Sequence, residues 1–431
     1  MCQQHHQTHS NDSSNVSPAD QQAFPWHIGA YDAHCHPTDT MSSIASIPGM
    51  RTHALTIMAT RSQDQHLVSQ VAHDLGIQGP ESLPKSSSGR ATTAAAAADG
   101  PSAKVIPAFG WHPWFSYQIY DDLKEGSSSF DPGAHAGSVE AAKKAHYESV
   151  LQPAPSDDSE FIASLPTPVP LSRFLEETRT NLEAHPYALV GEAGLDKAFR
   201  LPRHWQPPTS SSSPTSRDEN LTPGGREGRP LSPYRVQMQH QQAILEAQLR
   251  LAGEKGRAVS VHGVQAHGIL FESVSRCWKG HEREYVSKRK RKMDAAPAPE
   301  SDSEDESKQK QEKHRAVAQS KPFPPRICLH SFSGSVELLK QWLHPTNPAE
   351  IFFSFSTAVN AGSDATKART SEVIREIPDG QLLVESDLHV AGEDMDSALE
   401  DMYRRICEIK GWTLEEGVSK IRENFHRFIF G

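Results

Sequence analysis

Short apolar segments alternate with helix-like segments along most of this 431-residue chain, and this alternation constrains the fold more than any other feature. The strand candidates are residues 27–33, 54–59, 105–110, 188–191, 258–261, 326–329, 351–355 and 382–384. Amphipathic spacing predicts helices over residues 63–75, 171–184, 234–255, 266–278, 335–343, 365–376 and 394–409. Eight strands with intervening helices predict an α/β fold, a (β/α)8 TIM barrel, and the competing arrangement is a doubly wound parallel sheet.

Four polar stretches interrupt the alternation, near residues 79–104, 125–165, 207–233 and 279–321. They are rich in Ser, Pro, Ala, Gly or charged residues, and none has the spacing needed to bury an apolar face, so we expect disordered loop insertions. Residues 1–24 predict a disordered N-terminal tail. Residues 25–431 then form a single barrel domain, and the insertions explain why only 36% of the chain is hydrophobic.

The net charge of −10 argues against a broadly basic surface, so attraction to nucleic acid would have to come from metal ions or a local patch. No apolar run approaches the roughly 18 residues that span a bilayer, so we expect no membrane association. The five cysteines are scattered and odd in number, which indicates a reducing compartment. We therefore expect a cytoplasmic or nuclear protein, and we also expect a monomer.

Polar side chains follow most of the strand candidates at the points where those segments end. They are His34 and His36 in DAHCH, His112 in GWHPW, Glu192 in GEAGLD, His262 in VSVHG, His330 in CLHSFSG and Asp387 in VESD. Because a barrel brings the C-terminal ends of its strands together, these side chains would converge although they lie far apart in sequence. The sequence therefore predicts one site at that end of the barrel.

Each of these residues has an ordinary structural explanation when it is taken alone. A histidine pair can be a polar strand end, a lone carboxylate can cap a helix, and a lone histidine is usually a satisfied core residue. Together, four histidines and two carboxylates offer the nitrogen and oxygen ligands that suit Zn²⁺, Mn²⁺ or Mg²⁺. Because six ligands exceed the usual set of a mononuclear catalytic zinc site, we expect two divalent metal ions with one bridging carboxylate.

The chain resembles the TatD-like metal-dependent deoxyribonucleases through motifs that extend from residue 31 to residue 428. These are DAHCH (32–36), GWHP (110–113), GEAGLD (191–196), HSFSG (330–334), ESD (385–387) and ENFHRF (423–428), together with the strand histidine His262. The resemblance implies a dinuclear metal centre whose ligands would be His34, His36 and Asp387 for one ion, His262 and His330 for the other, and Glu192 as the bridge. Glu192 and Asp387 would be the catalytic carboxylates, with Asp387 as general base for a metal-activated water. His112 would face the substrate phosphate.

Departures from the family pattern bear on the substrate. Val264 stands where the family commonly has an arginine suited to phosphate, and Ser331 replaces the cysteine of the usual HCFSG. In the usual ETDAPY, the threonine, alanine and proline are replaced by Ser386, Leu388 and His389. We expect DNA or another phosphodiester as the substrate, and hydrolysis of a different ester or an amide bond is the enzymatic alternative.

The non-enzymatic alternative is an interaction protein built on the same barrel. The chain resembles fungal members with long loops, and that resemblance implies a partner among the helical-repeat subunits of the cell-cycle ubiquitin ligase. The insertions would then supply the contacts with the protein partner. Retention of all six presumed ligands favours the enzyme.

Two charged runs within the stretch 279–321 are open to more than one interpretation. KRKRK at 288–292 is either a nuclear localisation signal or nucleic-acid contact, and SDSEDES at 301–307 is an acidic cluster open to phosphorylation. The alternative for both is a mixed-charge loop. His267 and His389 lie near the predicted site, where solvated loop histidines are favoured over substrate contacts.

Overall fold

The computed structural model describes residues 22–83, 104–123, 128–203, 230–285 and 321–431. Most of the predicted tail and most of the predicted insertions near 79–104, 207–233 and 279–321 lie outside these residues. The KRKRK and SDSEDES runs lie outside them as well.

Eight strands form one parallel sheet: β1 (Tyr31–Cys35), β2 (Ala54–Met58), β3 (Val105–Phe109), β4 (Leu189–Asp196), β5 (Val259–Val264), β6 (Arg326–Leu329), β7 (Glu350–Phe355) and β8 (Leu382–Val384). Their order in the sheet follows their order in the chain, and neighbouring strands pair in parallel. The predicted (β/α)8 barrel is thereby confirmed, since a doubly wound sheet would reverse its strand order at a switch point.

Backbone hydrogen bonds close the barrel between its first and last strands. The N–H of His36 donates to the carbonyl of Leu388 at 2.9 Å, and the N–H of Asp387 donates to the carbonyl of His34 at 3.0 Å. These bonds lie at the C-terminal ends of β1 and β8. The seam of the barrel therefore brings together two of the motifs that the sequence analysis singled out.

The α-helices of the described residues are α1 (Ser62–Leu75), α2 (Val139–Val150), α3 (Ser159–Ser164), α4 (Leu171–Ala184), α5 (Met238–Glu254), α6 (His267–Trp278), α7 (Val336–Trp342), α8 (Thr357–Asn360), α9 (Asp364–Glu376), α10 (Glu393–Lys410) and α11 (Leu414–Phe430). The seven predicted helices correspond to α1, α4, α5, α6, α7, α9 and α10. The sequence analysis missed α11, although its cap is visible in the sequence as TLEE, where the Thr413 side chain accepts a hydrogen bond from the N–H of Glu416.

Alternate strand residues face opposite sides of the sheet, which gives the barrel two apolar layers. Leu55, Val259 and Phe353 belong to the larger layer, between the strands and the helices. Ile106 and Leu383 belong to a second cluster, which includes residues of α11. The barrel is therefore a packed scaffold that holds polar side chains at the C-terminal ends of its strands.

Three predicted strands differ from the observed ones by more than one residue at an end. The first was predicted at 27–33, but residues 26–28 form a short 3-10 turn, and Gly29, with φ +112°, separates it from β1. The fourth and fifth strands extend further than predicted, through Asp196 and Val264. Both were predicted too short because polar residues and glycines, such as Glu192 and Gly194 in β4 and His262 and Gly263 in β5, interrupt the apolar pattern.

The prediction of a disordered loop over residues 125–165 is wrong for residues 128–165, which contain α2 and α3. The signal was present: Ala142, His146 and Val150 recur at helical spacing and are buried. Tyr147, Val150 and Phe161 belong to an apolar cluster separate from those of the barrel. This segment therefore buries an apolar face, against α4, α5 and the chain that follows β3.

No helix among the described residues has both the length and the apolar character that a membrane crossing requires. Of the five cysteines, Cys35, Cys277, Cys328 and Cys407 lie in the described ranges, and all four are buried free thiols.

Candidate metal centre

The predicted site residues converge at the C-terminal end of the barrel, around a cavity of about 240 Å³. All seven are brought together, and six of them line the cavity: His36, His112, Glu192, His262, His330 and Asp387. His34 lies directly behind them and is fully buried. Val264, which stands where the family commonly has an arginine, also lines the cavity.

Glu192 lies at the centre of this arrangement and directs its two oxygens to different histidines. Oε2 lies 3.3 Å from Nε2 of His34 and 3.3 Å from Nε2 of His36. Oε1 lies 2.8 Å from Nδ1 of His262 and 2.9 Å from Nε2 of His330. The single carboxylate therefore separates two pairs of imidazole nitrogens.

Asp387 adds a carboxylate to the first pair. Its Oδ1 lies 3.6 Å from Nε2 of His36 and 3.9 Å from Nε2 of His34. Its backbone has φ +55°, in the left-handed region that aspartate tolerates better than most residues. The turn after β8 is fixed by Asp32, which accepts hydrogen bonds from the N–H and the hydroxyl of Ser386.

The separations within each group fit a metal ion. Ligands bound at about 2.0–2.2 Å to a tetrahedral ion lie about 3.3–3.6 Å from one another. Nε2 of His34 and Nε2 of His36 are 3.1 Å apart, and both are 3.3 Å from Oε2 of Glu192. Nδ1 of His262 and Nε2 of His330 are likewise 3.1 Å apart. Among the described residues, His34, His36 and Asp387 form one group that could hold a metal ion. Three further groups share residues with the site: His34, Glu192 and His330; His112, Glu192 and His262; and His330, Glu385 and Asp387.

Two of the histidines have a hydrogen-bond partner on the ring nitrogen that points away from Glu192, and a third has only a longer contact there with a carboxylate. Nδ1 of His34 lies 2.8 Å from the Ser260 hydroxyl. Nε2 of His262 lies 3.3 Å from Oδ2 of Asp196. Nδ1 of His330 lies 3.5 Å from Oε1 of Glu385. A proton held on the outer nitrogen leaves the inner nitrogen with a free lone pair, which is the tautomer that a metal ligand needs.

His112 has the opposite arrangement. Its Nδ1 accepts a hydrogen bond from the backbone N–H of Trp114 at 3.1 Å, so the neutral ring carries its proton on Nε2. Nε2 lies 3.0 Å from Oε1 of Glu192, to which it donates. Because this nitrogen carries the proton, it has no lone pair for a metal ion, and His112 is a hydrogen-bond donor at the site.

Burial and neighbouring charges shift the pKa values of several site residues in opposite directions. Burial alone would raise the pKa of the Glu192 carboxyl, but the charges of His112 and His330 hold it well below its usual value. Burial lowers the pKa of His34, and it lowers that of His112 to about 4. Burial also acts to lower the pKa of His36, yet the contact with Glu192 raises it to about 9. Glu192 therefore remains ionised among the histidines.

The sequence analysis assigned no role to Asp196 or Glu385, both of which contact site histidines. Asp196 is four residues beyond Glu192 in β4, and residues an even number apart in a strand face the same side. Its Oδ1 accepts from the N–H groups of Ala198 and Phe199 at 2.7 and 2.9 Å, and its Oδ2 accepts from Trp114 Nε1 at 2.5 Å. The even spacing within the strand could have revealed it.

The side chain of His389 contacts a buried carboxylate. Its Nδ1 lies 2.9 Å from Oδ2 of the buried Asp39, and its ring lines the cavity 5.5 Å from that of His36. His267 does not line this cavity, and its Nε2 lies 3.2 Å from the Ser333 hydroxyl. His389 is an exposed loop residue, as predicted, and its side chain also contacts Asp39 at the mouth of the site, whereas His267 begins α6 and is partly buried.

Comparison with known proteins shows what the chain is similar to. The family model of TatD related DNase matches residues 31–430. Cut9-interacting protein scn1 of Schizosaccharomyces pombe is 37% identical over 398 residues, which cover 92% of this chain and 98% of that protein. A Saccharomyces cerevisiae protein named as an uncharacterized deoxyribonuclease is 24% identical over 335 residues, covering 75% of this chain and 82% of its own length.

Among solved structures, YjjV, a TatD homolog from Escherichia coli, shares 15% identity with a TM-score of 0.45, covering 93% of this chain and 97% of its own. An uncharacterized amidohydrolase from Saccharomyces cerevisiae shares 12% identity with a TM-score of 0.48, covering 93% of this chain and 99% of its own. On the match of the family model to almost the whole chain, and on the identity with the Schizosaccharomyces pombe relative, this chain belongs to the TatD-related DNase family.

Proposed function

We propose that this protein is a metal-dependent hydrolase that cleaves phosphodiester bonds at a dinuclear centre. The observation that carries the proposal is the position of Glu192, whose two oxygens face two separate pairs of histidine nitrogens. A carboxylate in that position is the bridging ligand that two adjacent cations require. Glu192 is itself nearly buried, with 3% of its side chain exposed at the cavity wall.

The proposed ligands are His34, His36 and Asp387 for one ion, His262 and His330 for the other, and Glu192 for both. The imidazole and carboxylate donors suit Zn²⁺ or Mn²⁺, and Mg²⁺ less well. Two such ions would lower the pKa of a bound water and neutralise charge that develops on the phosphoryl oxygens.

Each side chain around the cavity has its own proposed role. Asp387 lies at the cavity wall with 18% of its side chain exposed, so it can accept a proton from a water beside it. His112 carries its proton on Nε2, and that N–H would exchange its contact with Glu192 for a phosphate oxygen when substrate is bound. Ser260, Asp196 and Glu385 would hold the ligand histidines in orientation.

The proposed substrate is DNA, with a smaller phosphodiester as a second choice. The family and the named yeast relative favour DNA. Val264 forms an uncharged part of the cavity wall, at the position where the family commonly has an arginine suited to binding phosphate. A different ester or an amide therefore stays as the alternative substrate class, and a panel of phosphodiester, ester and amide substrates separates them.

The test is hydrolysis of single-stranded and nicked DNA by the purified full chain, with and without EDTA, in wild type and in Glu192→Ala. We expect activity that chelation abolishes and divalent metal restores, with a loss of more than about 100-fold in the variant, because Glu192 would touch both ions. Activity that persists through both EDTA and the substitution would reject the proposal.

A second candidate function is binding of a protein partner. It is favoured by the 37% identity with a protein named for its interaction with Cut9. The stretch 279–321 is the proposed contact, and a cytoplasmic or nuclear location is a prediction that goes with it. If binding is the main role, Glu192→Ala leaves the cellular function intact whereas deletion of residues 279–321 disturbs it. The reverse pattern would reject this candidate.

A further inference from the structure

A second cavity, of about 260 Å³, lies at the opposite end of the barrel from the metal centre. It is formed where β4, β5 and β6 begin, and the last residues of α11 cover part of it. The site residues Glu192, His262 and His330 lie at or near the other ends of the same strands. The two cavities are therefore separated by the packed interior of the barrel.

Three cationic side chains line this cavity: Lys255, Arg257 and Arg326. Nζ of Lys255 lies 2.8 Å from Oε1 of Glu183, so its charge is already balanced. Neither arginine forms an ion pair with a carboxylate anywhere in the part of the chain that the structure describes. Burial lowers the pKa of both arginines; the charge of Glu350 partly offsets this at Arg326, and no neighbouring carboxylate offsets it at Arg257.

The ends of two helices hold the arginines in place. Nη2 of Arg257 donates to the Leu182 carbonyl of α4 at 2.8 Å. Nε and Nη2 of Arg326 donate to the carbonyls of Phe428 and Ile429 in α11, at 2.7 and 3.1 Å. These bonds satisfy carbonyls that the last turn of a helix leaves without an intrahelical donor. They leave Nη1 of both guanidinium groups, and Nε of Arg257, without a hydrogen-bond partner among the described residues.

We propose that this cavity binds the phosphate group of a small phosphate monoester through Arg257 and Arg326. A phosphate monoester carries a charge of about −1.5 to −2 at neutral pH, which balances two guanidinium groups better than one carboxylate would. Guanidinium groups also present paired N–H donors that match the spacing of phosphate oxygens. The binding site is independent of the metal centre.

The remaining walls define the rest of the ligand. Tyr187, Leu189 and Phe430 line the cavity beside the cations, and the Tyr187 and Phe430 rings lie 5.2 Å apart in an edge-to-face arrangement. A volume of about 260 Å³ exceeds what inorganic phosphate fills. It lies just below the range of about 300–1,000 Å³ that is typical of pockets for organic ligands. The cavity therefore suits a phosphate that carries a small aromatic or apolar group.

The test is calorimetric titration of the full-length protein, in EDTA and a phosphate-free buffer, with phenyl phosphate and separately with inorganic phosphate. EDTA keeps the metal centre from contributing. We expect saturable binding of one phenyl phosphate per chain, with weaker binding of inorganic phosphate. Arg257→Gln and Arg326→Gln should each weaken binding by about 10- to 100-fold, because each removes a charge-assisted hydrogen bond.

Arg250→Gln is the matched control, because Arg250 is an exposed arginine in the last turns of α5, a few residues before Arg257, and does not line this cavity. It should bind phenyl phosphate as the wild type does. Tyr187→Ala keeps both arginines and their helix contacts. This variant therefore tests the proposed binding site even if substitution of either arginine unfolds the chain. It should weaken phenyl phosphate binding while sparing inorganic phosphate.

Failure of the wild type to bind phenyl phosphate overturns the proposal. Equal binding by the wild type and by folded Arg257→Gln and Arg326→Gln variants overturns it as well, and so does an unchanged affinity for phenyl phosphate in Tyr187→Ala. None of these results bears on hydrolysis at the metal centre.

Discussion

Oε1 of Glu192 lies 2.9 Å from Nε2 of His330, whereas Oε2 lies 3.3 Å from Nε2 of His34 and of His36. The carboxylate thus lies between histidines that come from β1 and histidines that come from β5 and β6. Each of its oxygens has at least two imidazole nitrogens around it. A neutral side chain of the same shape would leave those nitrogens without the negative charge that a shared cation site needs.

Glu192→Gln is therefore expected to lower the metal content of the purified protein, from about two divalent ions per chain to less than one. The amide preserves the size of the side chain but loses its charge and presents an NH₂ group to one histidine pair. Elemental analysis after gel filtration measures the change, with circular dichroism to confirm folding. Glu177→Gln, an exposed glutamate on α4, is the control. Retention of two ions in Glu192→Gln would contradict the bridging role.

Asp196→Asn is expected to weaken metal binding by about 10- to 100-fold without removing a proposed ligand. The charge on Asp196 favours a proton on Nε2 of His262, which leaves Nδ1 free to face Glu192. Competition with a chromogenic chelator measures the affinity. Asp364→Asn changes a fully exposed carboxylate on α9 and should have no effect. An Asp196→Asn protein with unchanged affinity would show that the orientation of His262 does not depend on this carboxylate.

His112→Ala is expected to separate substrate contact from metal binding. Its Nε2 carries the proton, so the variant should keep the full metal content. Loss of a hydrogen bond to a charged phosphate should reduce kcat/KM by about 10- to 100-fold. His262→Ala serves as the contrasting variant and should lose metal. If His112→Ala also loses metal, then His112 is a ligand and the tautomer argument is wrong.

His146 in α2 should make stability fall with acidification. Burial lowers the pKa of its ring from 6.5 in the unfolded chain to about 3 in the folded protein. Between these values the unfolded chain binds the proton more strongly, so lowering the pH favours unfolding. From about pH 7.5 to about pH 5, this one residue should cost about 2 kcal/mol of unfolding free energy.

Urea unfolding of wild type and His146→Gln at both pH values measures this difference. Glutamine can still bond the Ser129 hydroxyl or the Tyr117 carbonyl, which the histidine contacts at 2.8 and 2.7 Å. Carboxylates elsewhere contribute equally to both proteins, so the difference between the two pH dependences belongs to His146. Identical pH dependences would mean that the ring is protonated without cost in the folded state.

The segment between β3 and β4 shows where sequence reasoning reached its limit. Pro and Ser residues in 125–165 indicated a loop, whereas α2 and α3 bury Tyr147 and Phe161 in a cluster shared with other parts of the chain. A short helix with few apolar residues is stable only when another surface covers its apolar face. That surface includes Leu171 and Ile244, which are distant in sequence. The composition of residues 125–165 therefore could not show that another part of the chain would cover their apolar face.

The sequence by itself determined the barrel and the identity of the polar residues at its C-terminal end. Strand and helix periodicities are set by residues close together in the sequence. A parallel barrel brings the C-terminal ends of its strands together at one end, and this does not depend on the length of the loops. Only the tertiary structure decided which atoms face one another. The two sides of Glu192, the proton on His112 and the contact of Asp196 with His262 depend on side chains from different strands. Those contacts are set by the closure of the barrel, and no spacing along the chain encodes them.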